Sequence, residues 1–347
     1  MSWTIRRILD WIREDLGGRG VDSARVDSEL LVADGLGVKR IQLYLDLDRP
    51  LAPEELEVIR DRVKRRRARE PIAYILGERD FYGRPFAVSS AVLVPRPDTE
   101  TLVDRALAFL RDAGRPVGES SLEAAPQALV ARASVDGEAH LEPIEDEEQR
   151  EAAEGELATS VGEPAAALDE PPAPARLAHA RVADLCTGSG CIAITLAKEH
   201  PGGRFVATDL SADALAVATA NAEALGASVE FRQGDLFAPL RGERFDLLTI
   251  NPPYLAAAEL DECEPEVARH EPRMALVAGP RGDEMLERIA IDAPAHLEPG
   301  GAILVEVGHR QAAAFAERLR SSGAWADVRI HRDLGGVERV VEARRPG

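Results

Sequence analysis

A chain of 347 residues is longer than one typical domain, so two folded units are expected. Its formal net charge of −19 argues against nonspecific binding to nucleic acid or to anionic membranes. No stretch approaches about 18 uninterrupted apolar residues, and the amino terminus lacks the apolar core of a signal peptide. The three cysteines lack framework spacing and have no histidine cluster beside them. We therefore expect a reduced, cytoplasmic protein that holds no metal and does not contact membranes.

Residues 1–70 predict a small, all-helical domain. Apolar side chains recur at helical spacing, for example at Ile5, Ile8 and Ile12. The last helix of this domain ends in the basic run 64–69. That run would suit an acidic partner, a solvated helix face, or a carboxyl terminus whose cations complement the helix dipole.

Residues 71–97 have a different pattern. Short apolar runs at 72–77, 81–83 and 91–97 are separated by glycine and proline, which predicts a β-hairpin that links two domains. A helix is expected to start near Asp98.

The segment 114–178 is acidic, rich in alanine, glutamate and proline, and nearly free of aromatic residues. A chain of this composition cannot bury enough apolar area to offset the entropy lost on ordering. It is predicted to be a disordered insertion in the second domain, residues 98–347.

Strands and helices alternate from residue 181 onward. Helices are expected at 191–198 and 212–225, and strands at 182–185, 204–208, 229–232, 245–250 and 302–307, with a last pair near 326–330 and 337–342. This alternation predicts an α/β fold with a mostly parallel, doubly wound sheet and helices on both faces.

The first strand of this sheet leads into a turn with two glycines. Its residues are Cys186, Thr187, Gly188, Ser189 and Gly190. The glycines permit a tight turn and let backbone N–H groups approach a ligand at a helix amino terminus. The turn lacks the third glycine of the dinucleotide fingerprint and the lysine of a P-loop, so alone it is weak evidence for a nucleotide site.

Acidic residues follow the next two strands. Asp209 ends the second strand, where it is placed to accept hydrogen bonds from both ribose hydroxyls of a nucleoside. Alternatively it caps the next helix, a position that suits Ser211 better. Asp235 follows the third strand, where it would meet an adenine amino group, with Leu236 or Phe237 beside the ring; it would equally suit a simple turn.

The fourth strand, 245–250, ends in Asn251, Pro252, Pro253 and Tyr254. Paired prolines remove two N–H donors and fix φ, so the chain leaves the sheet stiffly. A side-chain amide and an aromatic ring are thereby held at the carboxyl end of a strand, where open α/β sheets bind ligands. A rigid amide acceptor beside a ring suits a planar NH₂ group, although a strand-ending turn would use the same residues.

The glycine turn, the two acids and the Asn-Pro-Pro-Tyr tetrapeptide, in this order, resemble the class I S-adenosylmethionine-dependent methyltransferases that modify planar amino or amide nitrogens. An amide nitrogen is a weak nucleophile because its lone pair is delocalised into the carbonyl. If the Asn251 side-chain oxygen and the Pro252 carbonyl both accept hydrogen bonds from the N–H groups of the amide, they raise the electron density on its nitrogen. They also direct that nitrogen at the sulfonium methyl group. Tyr254 would pack against the bound amide.

Outside the acidic insertion, the whole chain resembles the HemK/PrmC family, the N5-glutamine methyltransferases of class 1 peptide release factors. The matching motifs are Pro-Ile-Ala-Tyr-Ile-Leu-Gly at 71–77, Phe-Tyr-Gly at 81–83, Val-Leu-Val-Pro-Arg-Pro-Asp-Thr-Glu at 92–100, the segments 184–190 and 251–254, Glu-Pro-Arg-Met-Ala-Leu at 271–276, Pro-Gly-Gly at 299–301 and Glu-Val-Gly at 306–308. The resemblance implies a class I methyltransferase domain preceded by a helical domain and a linking hairpin. It also implies methylation of the glutamine in the release factor's Gly-Gly-Gln tripeptide, with the helical domain helping to grip that partner.

Residue roles follow from the same resemblance. It implies that the turn at 186–190, Asp209, Leu236 and Asn251 contact S-adenosylmethionine, and that Asn251 through Tyr254 meet the glutamine. Cys186 stands where the family usually has glycine, and Leu236 where a large aromatic is often found, so the adenine would pack on Leu236 or on Phe237.

The resemblance further implies that Arg96, Pro97 and Glu100 lie near the entrance of the site. Arg96 would alternatively pin the hairpin through a salt bridge.

Two other enzyme classes share part of this pattern. A ribosomal protein glutamine methyltransferase departs from the Pro-Arg-Pro-Asp-Thr-Glu element after its first two residues. A DNA amino-methyltransferase would flip a base and usually brings a basic target-recognition domain, which the charge of −19 does not favour. A binding module without catalysis would not need the complete set of glycine turn, Asp209 and Asn251.

Overall fold

The amino-terminal part of the chain is helical, as its apolar spacing predicts. The computed structural model describes residues 2–112 and 177–347. Its first helices are α1 (Ile5–Gly17), α2 (Ala24–Leu36), α3 (Arg40–Leu43), α4 (Pro53–Arg67) and α5 (Ile72–Leu76). They enclose an apolar core in which Ile12, Leu31 and Ile59 are fully buried. Each helix of the described part is too short or too polar to cross a membrane.

A hairpin follows, but only part of the predicted segment is β structure. Strand β1 (Glu78–Phe81) pairs antiparallel with β2 (Arg84–Ala87). The run 72–76 forms α5 instead, and Gly77 closes this helix at a φ of +82°. Five apolar residues fit one helical turn as well as a strand, so periodicity does not distinguish them. The next helix, α6 (Glu100–Asp112), follows a 3-10 turn at Pro97–Thr99, close to the predicted start.

The remaining elements alternate as the sequence predicts. The strands are β3 (Arg181–Leu185), β4 (Arg204–Asp209), β5 (Glu230–Gln233), β6 (Phe245–Ile250), β7 (Leu255–Ala256), β8 (Val277–Gly279), β9 (Leu297–Glu306), β10 (Asp327–Arg332) and β11 (Glu338–Arg344). The helices are α7 (Cys191–Glu199), α8 (Ala212–Leu225), α9 (Pro265–His270), α10 (Arg273–Leu276), α11 (Glu284–Asp292) and α12 (Ala312–Ser321). The predicted disordered segment 114–178 lies outside the described residues, apart from 177 and 178, and the domain boundaries at 70 and 97 stay predictions.

Seven strands form one sheet in the order β10-β11-β9-β6-β3-β4-β5. Strands β5, β4, β3, β6 and β9 are parallel to one another, whereas β11 is antiparallel to both β9 and β10. The chain moves outward from β3 to β5 and then returns to β6 on the other side of β3. This reversal opens a crevice at the carboxyl ends of β3 and β6, where sheets of this kind bind ligands.

Different helices cover the two faces of the sheet. Residues of α11 and α12 share one apolar cluster with Val341 and Ala343 of β11. Arg105 of α6 instead lies 3.6 Å from Glu342, which stands between those two residues. Because successive side chains of a strand point to opposite faces, α6 covers the other face. The predicted doubly wound α/β fold is therefore confirmed.

The buried carboxylate of Glu342 predicts a loss of stability in acid. Its side chain is 2% exposed and lies 2.8 Å from His331 Nε2 and 3.1 Å from Arg344 Nε. Burial alone would raise the pKa of Glu342, but the hydrogen bond from His331 and the charge of Arg344 lower it to about 2. Since this pKa is depressed in the folded state, the stabilisation is present above the ordinary glutamate pKa and is lost as pH falls towards about 2.

We expect Glu342 to account for roughly 3 kcal/mol of this acid-dependent loss in the free energy of unfolding. Urea unfolding of the wild type and of Glu342→Gln, measured at several pH values between about 6 and 2, tests this expectation. The variant should lose less stability than the wild type over that interval. Parallel pH curves for the two proteins would contradict the assignment.

Candidate active site

A cavity of about 410 Å³ opens at the carboxyl ends of β3, β4 and β6. Its volume lies within the range of small-molecule sites in proteins, about 300–1,000 Å³. The predicted residues that line it are Cys186, Thr187, Gly188, Ser189, Asp209, Asp235, Leu236, Asn251 and Pro253. Three others, Gly190, Pro252 and Tyr254, are not among the described residues that line it. The structure thus brings most of the sequence-predicted site together around one cavity.

The glycine turn has left-handed backbone at three positions. Gly188 and Gly190 have φ values of +54° and +80°, and Cys186 adopts +59° despite its side chain. At Gly190 a Cβ atom would lie 2.8 Å from Ile194 Cδ1, so only glycine allows the turn to pack this closely on α7. At Gly188 a Cβ atom would have no atom within 4 Å, because this residue faces the open cavity.

A buried aspartate on β3 stabilises the glycine turn. Asp184 of β3 is 1% exposed and accepts hydrogen bonds from Thr187 Oγ1 at 2.6 Å and Thr249 Oγ1 at 2.8 Å. Burial raises the pKa of Asp184 to about 7, and the two threonine hydroxyls oppose that rise. The side chain therefore ties the glycine turn to β6, across the crevice between the central strands. A lone acid within an apolar strand is the sequence signal that indicates such a position.

Asp209 holds the turn from the side. One carboxylate oxygen accepts the Gly188 N–H and the other accepts the Ser211 N–H, both at 2.9 Å. Ser211 caps α8 by accepting the Ala214 N–H at 3.1 Å, so Asp209 is not the capping residue. Each oxygen of Asp209 can accept a further hydrogen bond, and the residue lines the cavity.

Asp235 is held by a partner that the sequence does not indicate. Its Oδ2 atom lies 2.6 Å from a guanidinium nitrogen of Arg288, on α11, and both side chains are about half exposed. Arg288 also lines the cavity. The pair leaves Oδ1 of Asp235 available to a ligand donor at the rim.

Leu236, rather than Phe237, lines the cavity. Leu236 has a φ of +45°, which is uncommon for a leucine, and it is 4% exposed. The Phe237 ring instead stacks on His296 with 5.0 Å between the ring centroids. Leu236 is therefore the side chain available to flank a planar ligand ring.

The carboxamide of Asn251 has one satisfied end and one free end. Its Nδ2 atom lies 3.4 Å from Thr99 Oγ1. Its Oδ1 atom is buried and has no hydrogen-bond partner within the described part of the chain. Buried polar atoms are nearly always hydrogen-bonded, so an acceptor without a partner in a cavity wall points to a donor supplied by a ligand.

Tyr254 is fixed by its backbone, and its side chain is half-buried. Its N–H donates to the Leu276 carbonyl at 3.2 Å, and its carbonyl accepts from Gln311 Nε2 at 2.9 Å. Burial, followed by the nearby charge of Glu306, raises the pKa of Tyr254 to about 12, so its hydroxyl stays protonated. The ring lies beside Gly308, where an added Cβ atom would meet it at 3.4 Å.

Arg96 both lines the cavity and forms a salt bridge. Its guanidinium lies 2.6 Å from Glu271 Oε1, and Arg96 also lines the cavity. Burial raises the pKa of Glu271, and the charge of Arg96 opposes this effect. Pro97 does not line the cavity within the described residues, and Glu100 accepts the Tyr82 N–H at the hairpin turn, 2.8 Å away.

The chain matches two family models. Residues 7–77 match the PrmC N-terminal domain, and residues 168–267 match the methyltransferase small domain.

Similar proteins extend over almost the whole chain. The release factor glutamine methyltransferase of Geobacter sulfurreducens is 36% identical over 342 residues, covering 99% of this chain and 97% of that protein. That of Chlorobaculum tepidum is 36% identical over 343 residues, covering 97% and 96%. The solved protein-(glutamine-N5) methyltransferase (release factor-specific) of Alicyclobacillus acidocaldarius is 24% identical, with a TM-score of 0.36. The match covers 76% of this chain and all of that one. By its identity to the two full-length relatives, the chain belongs to the release factor glutamine methyltransferase family.

Proposed function

We propose that the protein transfers a methyl group from S-adenosylmethionine to the side-chain amide nitrogen, N5, of the glutamine in the Gly-Gly-Gln tripeptide of class 1 peptide release factors. The observation that carries this proposal is the buried, partnerless Oδ1 atom of Asn251 in the cavity wall. A primary amide supplies the missing donor. Full-length similarity to release factor glutamine methyltransferases supports the same substrate.

The residues around the cavity fit the cofactor. Gly188 leaves open space above a turn at the amino terminus of α7, where a polar ligand group is favoured. Asp209 retains acceptor capacity for ribose hydroxyls, and Leu236 offers an apolar surface to the adenine. Asp235 is the acceptor for the adenine amino group, since Arg288 occupies only one of its oxygens. When bound, S-adenosylmethionine supplies an electrophilic methyl group on a sulfonium.

Asn251 and Pro252 act on the nucleophile. The Oδ1 atom of Asn251 and the carbonyl of Pro252 accept hydrogen bonds from the two N–H groups of the glutamine amide. These hydrogen bonds orient the amide nitrogen and raise its electron density. The prolines hold these acceptors rigidly, so little reorganisation accompanies the reaction. The substrate proton leaves after transfer, and no strong base is needed.

The packing of Tyr254 on the bound amide stays a prediction. Tyr254 is not among the described residues that line the cavity. We infer that Tyr254 contributes chiefly by anchoring the loop after Pro253, through the hydrogen bonds of its backbone.

The proposal is tested with radiolabelled S-adenosylmethionine and three acceptors: a class 1 release factor, a ribosomal protein and duplex DNA. Label should enter the release factor and should be absent when alanine replaces the glutamine of its Gly-Gly-Gln tripeptide. Acid hydrolysis of the labelled product should release labelled methylamine, because the methyl group is on an amide nitrogen. Label in DNA alone, or label retained by the alanine variant, would sink the proposal.

A further inference from the structure

A buried glutamate lies next to Asn251 without lining the cavity. Glu306 is the last residue of β9, the strand beside β6, and it is 3% exposed. It is not among the described residues that line the cavity. Since an ionised carboxylate cannot be buried without compensation, its partners indicate what it does.

The groups near Glu306 lie at the donating end of the Asn251 carboxamide. Ile250 of β6 pairs with Val305 of β9, so Asn251 and Glu306, which follow them, are neighbours. The side-chain donors of Thr99 and Asn251 favour the ionised form of Glu306, whose Oε2 atom is buried and has no hydrogen-bond partner among the described residues. The Nδ2 atom of Asn251 is also 3.4 Å from Thr99 Oγ1. Glu306, Thr99 and Asn251 therefore form one buried polar cluster, assembled from β9, the 3-10 turn before α6, and the end of β6.

The chemistry of a carboxylate decides which end of the carboxamide faces the cavity. An ionised carboxylate only accepts hydrogen bonds, whereas a carboxamide has one accepting and one donating end. The donating end of Asn251 must face Glu306, which directs Oδ1 away from it. Asn251 lines the cavity, and its Oδ1 atom is the end that is buried and has no partner within the described residues.

We propose that Glu306 is a positioning residue that, together with Thr99, fixes the carboxamide of Asn251 with Oδ1 facing the substrate amide. This inference rests on the proposed function and adds the group that makes Asn251 an acceptor rather than a donor. A reversed carboxamide would present its NH₂ group to the NH₂ group of glutamine, and no hydrogen bond would form.

Only the ionised form of Glu306 enforces this orientation. A protonated carboxyl carries an O–H donor and would pair equally well with the oxygen of a reversed carboxamide. Burial raises the pKa of Glu306 to about 7, so the change falls within the neutral range. The charged and titratable groups that face it are Arg339, which favours ionisation, Asp98, which disfavours it, and Tyr254 and Cys191, whose own pKa values its charge raises. We therefore expect kcat to rise with pH through about 7.

The first test is Glu306→Gln, which keeps the shape of the side chain but removes its charge. We expect kcat to fall about tenfold to a hundredfold, because the glutamine amide accepts either orientation of Asn251. The calorimetric affinity for S-adenosylmethionine should stay close to that of the wild type, and the rise of kcat near pH 7 should disappear. A wild-type kcat, or a reduced kcat that still rises near pH 7, would overturn the inference.

Two further variants separate positioning from simple packing. Thr99→Val removes the hydroxyl at nearly constant volume and should lower kcat, whereas Thr99→Ser restores the hydroxyl and most of kcat. Glu342→Gln is the matched control, since Glu342 is an equally buried glutamate on the adjacent strand β11 and contacts His331 and Arg344 instead. It should change stability but leave the pH profile of kcat unaltered. Loss of the pH-dependent rise in Glu342→Gln would count against a specific role for Glu306.

Nuclear magnetic resonance provides a readout that does not require transfer. The side-chain NH₂ signals of Asn251, assigned by their absence in Asn251→Ala, should titrate near pH 7 in the wild type and not in Glu306→Gln. Signals that do not titrate in the wild type would overturn the inference. Failure of the proposed function would show differently, as a wild-type protein that leaves the release factor unlabelled while these signals still titrate.

Discussion

Asn251→Ala should abolish methyl transfer while leaving most of the affinity for S-adenosylmethionine. The substitution removes a buried acceptor that has no partner within the described structure and that belongs to a residue lining the cavity, together with its proposed role in orienting the glutamine amide. We expect kcat to fall by about 1000-fold or more, at the upper end of the cost of losing one preorganised polar group. Labelled transfer to a release factor measures kcat, and calorimetry measures the affinity for the cofactor.

Asp209→Ala provides the matched comparison at the other end of the cavity. Asp209 ties down the Gly188 N–H and offers acceptors to the ribose, so its loss should weaken cofactor binding first. Asp209→Ala should therefore lose mainly affinity for the cofactor, whereas Asn251→Ala should lose mainly kcat. An equal loss of affinity and transfer in Asn251→Ala would mean that Asn251 chiefly binds the cofactor.

The glycine turn and the Asn-Pro-Pro-Tyr tetrapeptide could be located from the sequence because each is a local signal at the end of an apolar strand. Alternation of strands and helices then places both at the same edge of a parallel sheet. The structure brings Gly188 and Asn251 to one cavity because β3 and β6 are neighbours. The glycine turn and the tetrapeptide could therefore be predicted from local sequence, without knowing which distant residues contact each other.

What the sequence did not reveal depends on such contacts. Asn251 and Thr99 are 152 positions apart, and Asp235 and Arg288 are 53 apart, and no spacing rule connects them. Glu306 was visible only as part of a Glu-Val-Gly motif, and its burial beside Asn251 appears once β9 is placed next to β6. The residues proposed to orient Asn251 are therefore harder to predict than Asn251 itself.

The region around residue 72 shows a different limit. Five apolar residues, 72–76, fit one turn of helix or one strand, and in the structure they form a helix in which Tyr74 is buried. Its hydroxyl donates to the Val92 carbonyl at 2.6 Å, which fastens α5 to the segment that precedes the Pro-Arg-Pro element. Tertiary contacts thus set the structure where the local pattern was neutral.

The basic run at 64–69, for which the sequence left three interpretations open, is largely paired within the chain. Arg65 lies 2.6 Å from Glu70, Arg67 lies 2.5 Å from Asp15, and Arg69 lies 2.7 Å from Glu266. These arginines already have acidic partners of their own. Through these pairs the run joins α4 to its surroundings.

Arg66 is the member of the run whose loss should cost the most stability. Its guanidinium is 5% exposed and lies 2.7 Å from both Asp27 Oδ2 and Glu266 Oε1. Arg66→Met would leave the carboxylate of Asp27, 2% exposed, without this cation. We expect the free energy of unfolding to fall by about 3–5 kcal/mol, the usual cost of breaking a buried ion pair from one side. Urea unfolding at neutral pH measures the change.

Arg67→Met tests whether burial, and not the mere presence of an ion pair, sets this cost. Arg67 stands next to Arg66 on the same helix, but its side chain is 36% exposed and its partner Asp15 is 16% exposed. Water screens this pair, so we expect its loss to cost about 1 kcal/mol or less. Similar losses in both variants would contradict the argument from burial. A large loss in Arg66→Met alone would show that the buried ion pairs of Arg66, with Asp27 on α2 and Glu266 on α9, contribute more stability than the exposed pair of Arg67.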